Sequence, residues 1–116
     1  MQMEILCMKV IFINDKKEGN GKSIWKDGAY YIGQFKNEFR NGKGIDYYPN
    51  GNIKYEGDFV NGKYEGKGKY IYESGNYYIG QFKNGLMHGK GTYHDSKGNI
   101  MFEGDFINGK EVEEED

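Results

Sequence analysis

The chain of 116 residues holds one cysteine, one proline, one tryptophan and two histidines, and each scarcity removes a class of protein. A lone Cys7 supplies no disulfide framework, so the expected compartment is a reducing one and the expected location is cytoplasmic. No stretch approaches the ~18 consecutive apolar residues of a membrane-spanning helix. The run Ile5 to Ile13 is mostly apolar, but Glu4 stands where a signal peptide needs a basic residue, Lys9 interrupts the run, and no small-residue cleavage site follows. Aliphatic side chains are few as well. A hydrophobic fraction of 36% with a strongly negative mean hydropathy would by itself describe a weakly folding chain.

What the chain has instead is rings and glycines. It contains 11 Tyr, 7 Phe and 19 Gly, a mixture that cannot fill a thick core of Leu and Ile. It can cover a thin sheet, because each ring buries a large area at low conformational cost. The net charge of −2 is unevenly placed. The last six residues, from Glu111 to Asp116, carry 5 of the 18 acids. The body before them is therefore mildly basic, and residues 111–116 are expected to be an acidic, solvated, disordered tail.

The chain also repeats itself. The string from Tyr30 to Asn37 returns letter for letter from Tyr77 to Asn84, and Gly51 to Lys63 returns almost unchanged from Gly98 to Lys110, both 47 residues on. An aromatic–glycine–aromatic triplet sets a finer register: Tyr31-Gly33-Phe35, Tyr55-Gly57-Phe59, Tyr78-Gly80-Phe82 and Phe102-Gly104-Phe106, spaced by 24, 23 and 24 residues. Each of the first three is followed by a glycine pair, Gly42 and Gly44, Gly66 and Gly68, Gly89 and Gly91. A closing glycine comes at Gly51, Gly75 and Gly98. Such periods mark an array rather than a globule.

Extended backwards, the register places Met8 and Phe12 at the aromatic positions and Gly19 and Gly21 at the pair, so the apolar N-terminus is a worn first repeat. Extended forwards, it reaches Glu113 and Glu115 where glycines are due. The fifth repeat thus lacks its second strand. Either a final strand Phe102–Ile107 is an edge guarded by charge, or the chain is a piece of a longer array. The expected organisation is a leader at 1–7, an array at 8–110 (8–30 degenerate, 31–54, 55–77, 78–101, 102–110 partial), and the tail.

Within each repeat the aromatics alternate with polar residues at period 2, which predicts a strand. Asn37 to Asn41 is expected to be a polar turn, with a second strand from Gly42. Asn50-Gly51, Asn61-Gly62, Asn84-Gly85 and Asn108-Gly109 are turn dipeptides. Each unit is then a β-hairpin too small to stand alone, so stacking is required. One face should carry the aromatics packed on the glycine pairs. The other should carry rows such as Ile32, Glu56, Ile79, Glu103 and Gln34, Asp58, Gln81, Asp105.

This register of Tyr55-Glu-Gly57-Asp-Phe59-Val-Asn-Gly62 with Gly66-Lys-Gly68, and its copy from Tyr78 to Gly91, resembles the MORN repeat (membrane occupation and recognition nexus) family. The resemblance covers Tyr31 to Gly109 well and Met8 to Gly28 weakly. Glu38 departs from it at a turn glycine, and Asp46 at a common aromatic. It implies an all-β, elongated, solenoid-like single-layer ribbon of stacked antiparallel β-hairpins, often a homodimer. It also implies a scaffold, spacer or targeting role, and links to phosphoinositides or phosphatidic acid, the cytoskeleton, cilia and lipid kinases.

Catalysis is not expected. His88 and His94 have no nucleophile in reach, since Cys7 lies in another repeat, and with the acids they lack zinc-ligand spacing. Gly21-Lys22-Ser23 has Lys16 where a phosphate-binding loop needs glycine, and a strand follows where a helix is needed. Aromatics committed to packing and a slightly negative charge argue against nucleic acid. No cofactor or metal is expected. The expected function is a non-catalytic scaffold or interaction module for protein–protein association, cytoskeletal or ciliary. The alternative is a peripheral membrane module contacting acidic phospholipids, serving a lipid kinase system. Its contacts, or those of a protein partner, would be Lys36, Arg40, Lys43, Lys67, Lys83 and Lys90, each lysine near an anionic leaflet adding ~1 kcal/mol.

Overall fold

A computed structural model of the chain describes residues 19–112. The leader, the first strand expected around Met8 to Phe12, and residues 113–116 of the tail lie outside the described residues. Nine strands follow one another: β1 Gly19–Ile24, β2 Tyr30–Lys36, β3 Phe39–Tyr47, β4 Ile53–Val60, β5 Lys63–Ile71, β6 Tyr77–Lys83, β7 Leu86–His94, β8 Ile100–Ile107 and β9 Lys110–Glu111. They form one open antiparallel sheet whose spatial order is the order of the sequence. The result is an elongated ribbon, 56 × 26 × 20 Å, with no helix among the described residues.

A row of eight glycines crosses this sheet from strand to strand: Gly21 pairs with Gly33, then Gly44, Gly57, Gly68, Gly80, Gly91 and Gly104 in turn. The missing side chains leave a furrow, and the repeat aromatics lie in it. Tyr31 covers Gly33 and Gly44, Tyr55 covers Gly57 and Gly68, and Tyr78 covers Gly80 and Gly91; a methyl on any of these glycines would overlap the ring. Tyr31, Tyr55 and Tyr78 are fully buried although the sheet is one layer thick.

The phenylalanines complete the packing. Phe35, Tyr31, Phe59, Tyr55, Phe82, Tyr78, Phe106 and Phe102 make one edge-to-face chain, with successive centroids 4.8 to 5.3 Å apart and planes 81° to 88° apart. This geometry sets the positive edge of one ring against the negative face of the next. Each tyrosine touches the phenylalanine of its own strand and that of the following unit, so the chain of rings joins hairpin to hairpin.

The two glycines of each pair do different work, which corrects the expectation that both lie under the rings. Only Gly44, Gly68 and Gly91 do. Gly42, Gly66 and Gly89 have positive φ and sit in bulges, where the register of β3, β5 and β7 shifts against the preceding strand. Bulging interrupts the ladder opposite Gln34 and Gln81 and between Gly57 and Asp58. There the buried tyrosine hydroxyls donate to main chain: Tyr31 to the Gln34 carbonyl at 2.7 Å, Tyr55 to Asp58 at 2.9 Å and Tyr78 to Gln81 at 2.8 Å.

Two kinds of turn alternate. Asn61-Gly62, Asn84-Gly85 and Asn108-Gly109 are two-residue turns with both φ positive, whose twist matches that of the strands. Asn37-Glu38 is the same turn, at φ 51° and 71°. It is therefore shorter than the expected Asn37–Asn41, and Phe39 already belongs to β3. The loops at Gly28, Gly51, Gly75 and Gly98 are instead three-residue turns in which glycine donates to the residue three before it. At the far end β9 pairs over two residues, and Val112 donates to the Asp105 carbonyl at 2.9 Å. The last hairpin thus has the start of a second strand, which corrects the expectation that it has none.

Two outcomes follow. Glu38 holds a left-handed conformation that costs an L-residue about 1 kcal/mol or more, so Glu38→Gly is expected to raise the free energy of unfolding by ~1 kcal/mol, read from urea denaturation; no gain would mean that Glu38 is held by contacts outside the turn. The second outcome concerns pH. Burial pushes the Tyr31 hydroxyl up to about 12 and raises Tyr55 and Tyr78 as well. The folded state then keeps protons that the unfolded state releases above its ordinary value near 10. Stability is therefore expected to hold below pH 10 and to fall as pH rises from there through 12. Tyr31, Tyr55 and Tyr78 should contribute tyrosinate absorbance only with unfolding, not ahead of it.

Candidate functional site

Two surfaces differ in chemistry. On the ring face, a second layer of side chains lies over the furrow rings and comes from the residues paired with them. Arg40, Tyr64 and Met87 pair with Phe35, Phe59 and Phe82; Asp46, Tyr70 and Tyr93 pair with Tyr31, Tyr55 and Tyr78. Tyr64 stacks on Tyr55 with centroids 3.8 Å apart and planes within 10°. Tyr70, Met87 and Tyr93 pack against the same cluster.

Asp46 is the exception in this layer. It stands where the next two units have tyrosine, and it is buried. Arg40 compensates its charge, with Nη1 2.9 and 3.1 Å from the two carboxylate oxygens, while Nη2 donates to the Gly62 carbonyl at 2.7 Å. The Tyr64 hydroxyl donates to Asp46 Oδ2 at 3.0 Å. Burial raises the Tyr64 hydroxyl far above its ordinary value, and the Asp46 carboxylate raises it further, so it remains a donor. The guanidinium also lies over Phe59, Trp25 and Tyr31, 5.1 to 5.6 Å from their centroids, a favourable cation–π arrangement.

The missing ring at Asp46 opens a groove. Two adjoining cavities of about 520 Å³ each run along this face and share Lys54 and Tyr64; the first includes Trp25, Arg40 and Asp46, the second Tyr70, Tyr72 and Met87. Lys54 reaches it because of a bulge. Asp46 pairs with Tyr55 and Tyr47 with Ile53, leaving Lys54 as the extra residue, with its Nζ 5.8 Å from the Tyr48 ring centroid. The groove is thus aromatic in its walls, with a cation at its middle.

The outer face carries the lysines. Lys43 meets Asp58 at 2.8 Å and Lys90 meets Asp105 at 3.4 Å, both pairs largely exposed. Lys67 is paired in register with Gln81. Lys36 and Lys83 end their strands beside the tight turns. Arg40 stands apart from these five, on the ring face. The six residues therefore do not converge on one patch, and two of the lysines already face carboxylates. Lys22 and Lys69, absent from the set that charge and spacing single out, lie over Tyr30 and Tyr77 at 5.0 and 4.6 Å. Their signal in the sequence is the 47-residue register, which puts them in equivalent places.

The histidines are separate. His94 stacks on Tyr77 at 4.5 Å and bonds Thr92 Oγ1 through Nε2 at 2.9 Å; His88 Nδ1 accepts from the Asn108 amide at 3.4 Å. Among the described residues, no group of three His, Cys, Asp or Glu is placed to hold a metal, and no helix is long and apolar enough to cross a membrane.

The family model described as MORN repeat matches the chain four times, at residues 11–30, 31–53, 55–77 and 78–100. No curated protein matches it.

The two kinds of ion pair should respond differently to deletion. Asp46→Ala leaves a guanidinium over the rings without its partner and is expected to cost about 3 kcal/mol of stability. Lys43→Ala removes an exposed pair and is expected to change stability by less than ~1 kcal/mol. Denaturant unfolding of the two variants measures both. Equal losses would contradict a structural role for Asp46.

Proposed function

The chain belongs to the MORN repeat family, and on that premise we propose that it is a non-catalytic scaffold that docks a protein segment in the groove of its ring face. MORN repeats are interaction or membrane-association modules, and the choice between the two rests on one observation. The groove joins the half-buried rings of Trp25, Tyr64, Tyr70 and Tyr72 to Lys54, whereas the outer lysines are interspersed with carboxylates. Aromatic walls with Lys54 where the two cavities adjoin, and with Lys26 and Lys110 also in the lining, suit a segment with apolar side chains and a carboxylate for Lys54. A mixed-charge face gains little from an anionic leaflet, because each acid offsets a base. In this reading the protein acts in the cytoplasm, at a cytoskeletal or ciliary assembly.

Affinity capture from an extract of the source cells, with the full chain and with Tyr70→Glu and Met87→Glu, tests the groove. Partners held by the unaltered chain are expected to be lost with both groove variants and kept with Lys43→Glu. Co-sedimentation with vesicles containing acidic phospholipid tests the membrane reading. Little salt-sensitive pelleting is expected; strong pelleting abolished by Lys43→Glu together with Lys67→Glu and Lys90→Glu would transfer the function to the lipid surface.

A further inference from the structure

Asparagine followed by glycine is the pair in which a main-chain amide most readily attacks a side chain, because glycine sets no side chain in the way. This chain holds Asn20-Gly21, Asn41-Gly42, Asn50-Gly51, Asn61-Gly62, Asn84-Gly85 and Asn108-Gly109. The fold treats them differently. Asn20-Gly21 and Asn41-Gly42 lie within β1 and β3. In the tight turns the amides of Gly62, Gly85 and Gly109 donate to the carbonyls of Arg40, Tyr64 and Met87 in the preceding unit, at 2.9, 3.0 and 2.8 Å. Freeing any of these three amides means parting two hairpins.

Asn50-Gly51 is closed by bonds within its own loop. The Gly51 amide donates to the Tyr48 carbonyl at 2.8 Å, and both Asn50 and Gly51 are exposed. A Cβ built on Gly51 would meet the Tyr30 hydroxyl at 3.9 Å and nothing nearer. The carboxamide is also positioned, because the Asn52 amide donates to Asn50 Oδ1 at 2.9 Å. A donor aimed at that oxygen polarises Cγ and stabilises the negative charge the oxygen takes up when Cγ is attacked.

We propose that Asn50 is a site of intramolecular deamidation, directed by the loop at 48–52. Gly51 N bonds to Asn50 Cγ and loses its proton to solvent hydroxide. The side-chain nitrogen leaves with a proton from water as ammonia, and a five-membered succinimide is closed. Water then adds to one of the ring carbonyls and breaks its bond to nitrogen. Opening at the Cγ carbonyl leaves aspartate in a normal main chain. Opening at the other leaves isoaspartate, whose main chain runs through Cγ and is one carbon longer.

The fold already contains the first product. In the preceding loop Asp27 stands before Gly28 as Asn50 stands before Gly51, and its Oδ1 takes the Ala29 amide at 2.9 Å. The two glycines have φ of 98° and 93°. Aspartate at 50 is therefore accepted without rearrangement and adds a negative charge. Isoaspartate is not, since a longer main chain does not keep both the bond from Gly51 to Tyr48 and that from Tyr48 to Asn52, each 2.8 Å. Tyr47 and Lys54, on either side of this loop, both line the first cavity of the ring-face groove. One product thus changes the border of the groove by charge and the other by shape. The chemistry itself rests on the loop and stands whether or not the groove holds a partner.

Peptide mapping of the folded full chain by mass spectrometry, after incubation at mildly alkaline pH, supplies the test. Asn50 is expected to exchange its amide for an acid about tenfold faster than Asn61, Asn84 or Asn108, since opening one loop costs less than parting two hairpins. The same chain in urea is expected to lose that lead, because every Asn-Gly pair is then open. Asn50→Asp is expected to unfold at the same temperature as the unaltered chain. Asn50 converting no faster than the tight-turn asparagines in the folded chain overturns the proposal, as does a lead that persists in urea. A lower melting temperature for Asn50→Asp overturns the claim that the loop accepts the aspartyl product.

Discussion

A tyrosine ring lying in a furrow of glycine is the constraint on which the rest of this ribbon depends. A single sheet has no second layer against which to bury a face, so its core must lie on its own backbone. Removing the side chains of two paired residues lets a ring settle onto the main chain, where it is shielded by the phenylalanines on either side. That explains how a chain poor in Leu and Val can leave three tyrosines without solvent exposure. The bulge is part of the same device, because the ring that fills the furrow brings its hydroxyl to the carbonyl beside the bulge. Packing and hydrogen bonding are met by one side chain.

With the interior settled by a few positions per unit, the remaining positions are free to vary from unit to unit. On the ring face that freedom puts Arg40 and Asp46 in one unit and Tyr64 and Tyr70 in the next, and so makes a groove of uneven depth. On the outer face it sets Lys43 against Asp58 and Lys90 against Asp105, but Lys67 opposite Gln81. The repeat explains the fold, and the departures from it explain where the two faces differ.

Much of this is legible in the sequence, for a physical reason. The furrow glycines, the triplet rings and the tight Asn-Gly turns are each dictated by sterics at a fixed offset, so they recur and their register can be read. The boundary at Phe39 is not legible, because Glu38 occupies a conformation that glycine holds in the sister turns, and its residue type gives no sign of it. Nor is the division of labour within Gly42 and Gly44, since a glycine that permits positive φ and one that makes room for a ring look alike in a sequence. Charge alone groups Arg40 with the lysines. Only the pairing across β2 and β3 shows that it belongs over the rings, opposite Phe35 and in contact with Asp46.

One further feature is the string of hydrogen bonds between successive tight turns, from Gly62 to the Arg40 carbonyl, from Gly85 to Tyr64 and from Gly109 to Met87. Together with the rings, which reach only the adjacent unit, they make every hairpin answer to its immediate neighbours alone. A protein built this way is a ruler. Each hairpin adds two strand spacings, roughly 10 Å, and an inserted or deleted pair of units would shift the distance between its ends by about 20 Å while leaving the graduations themselves unchanged.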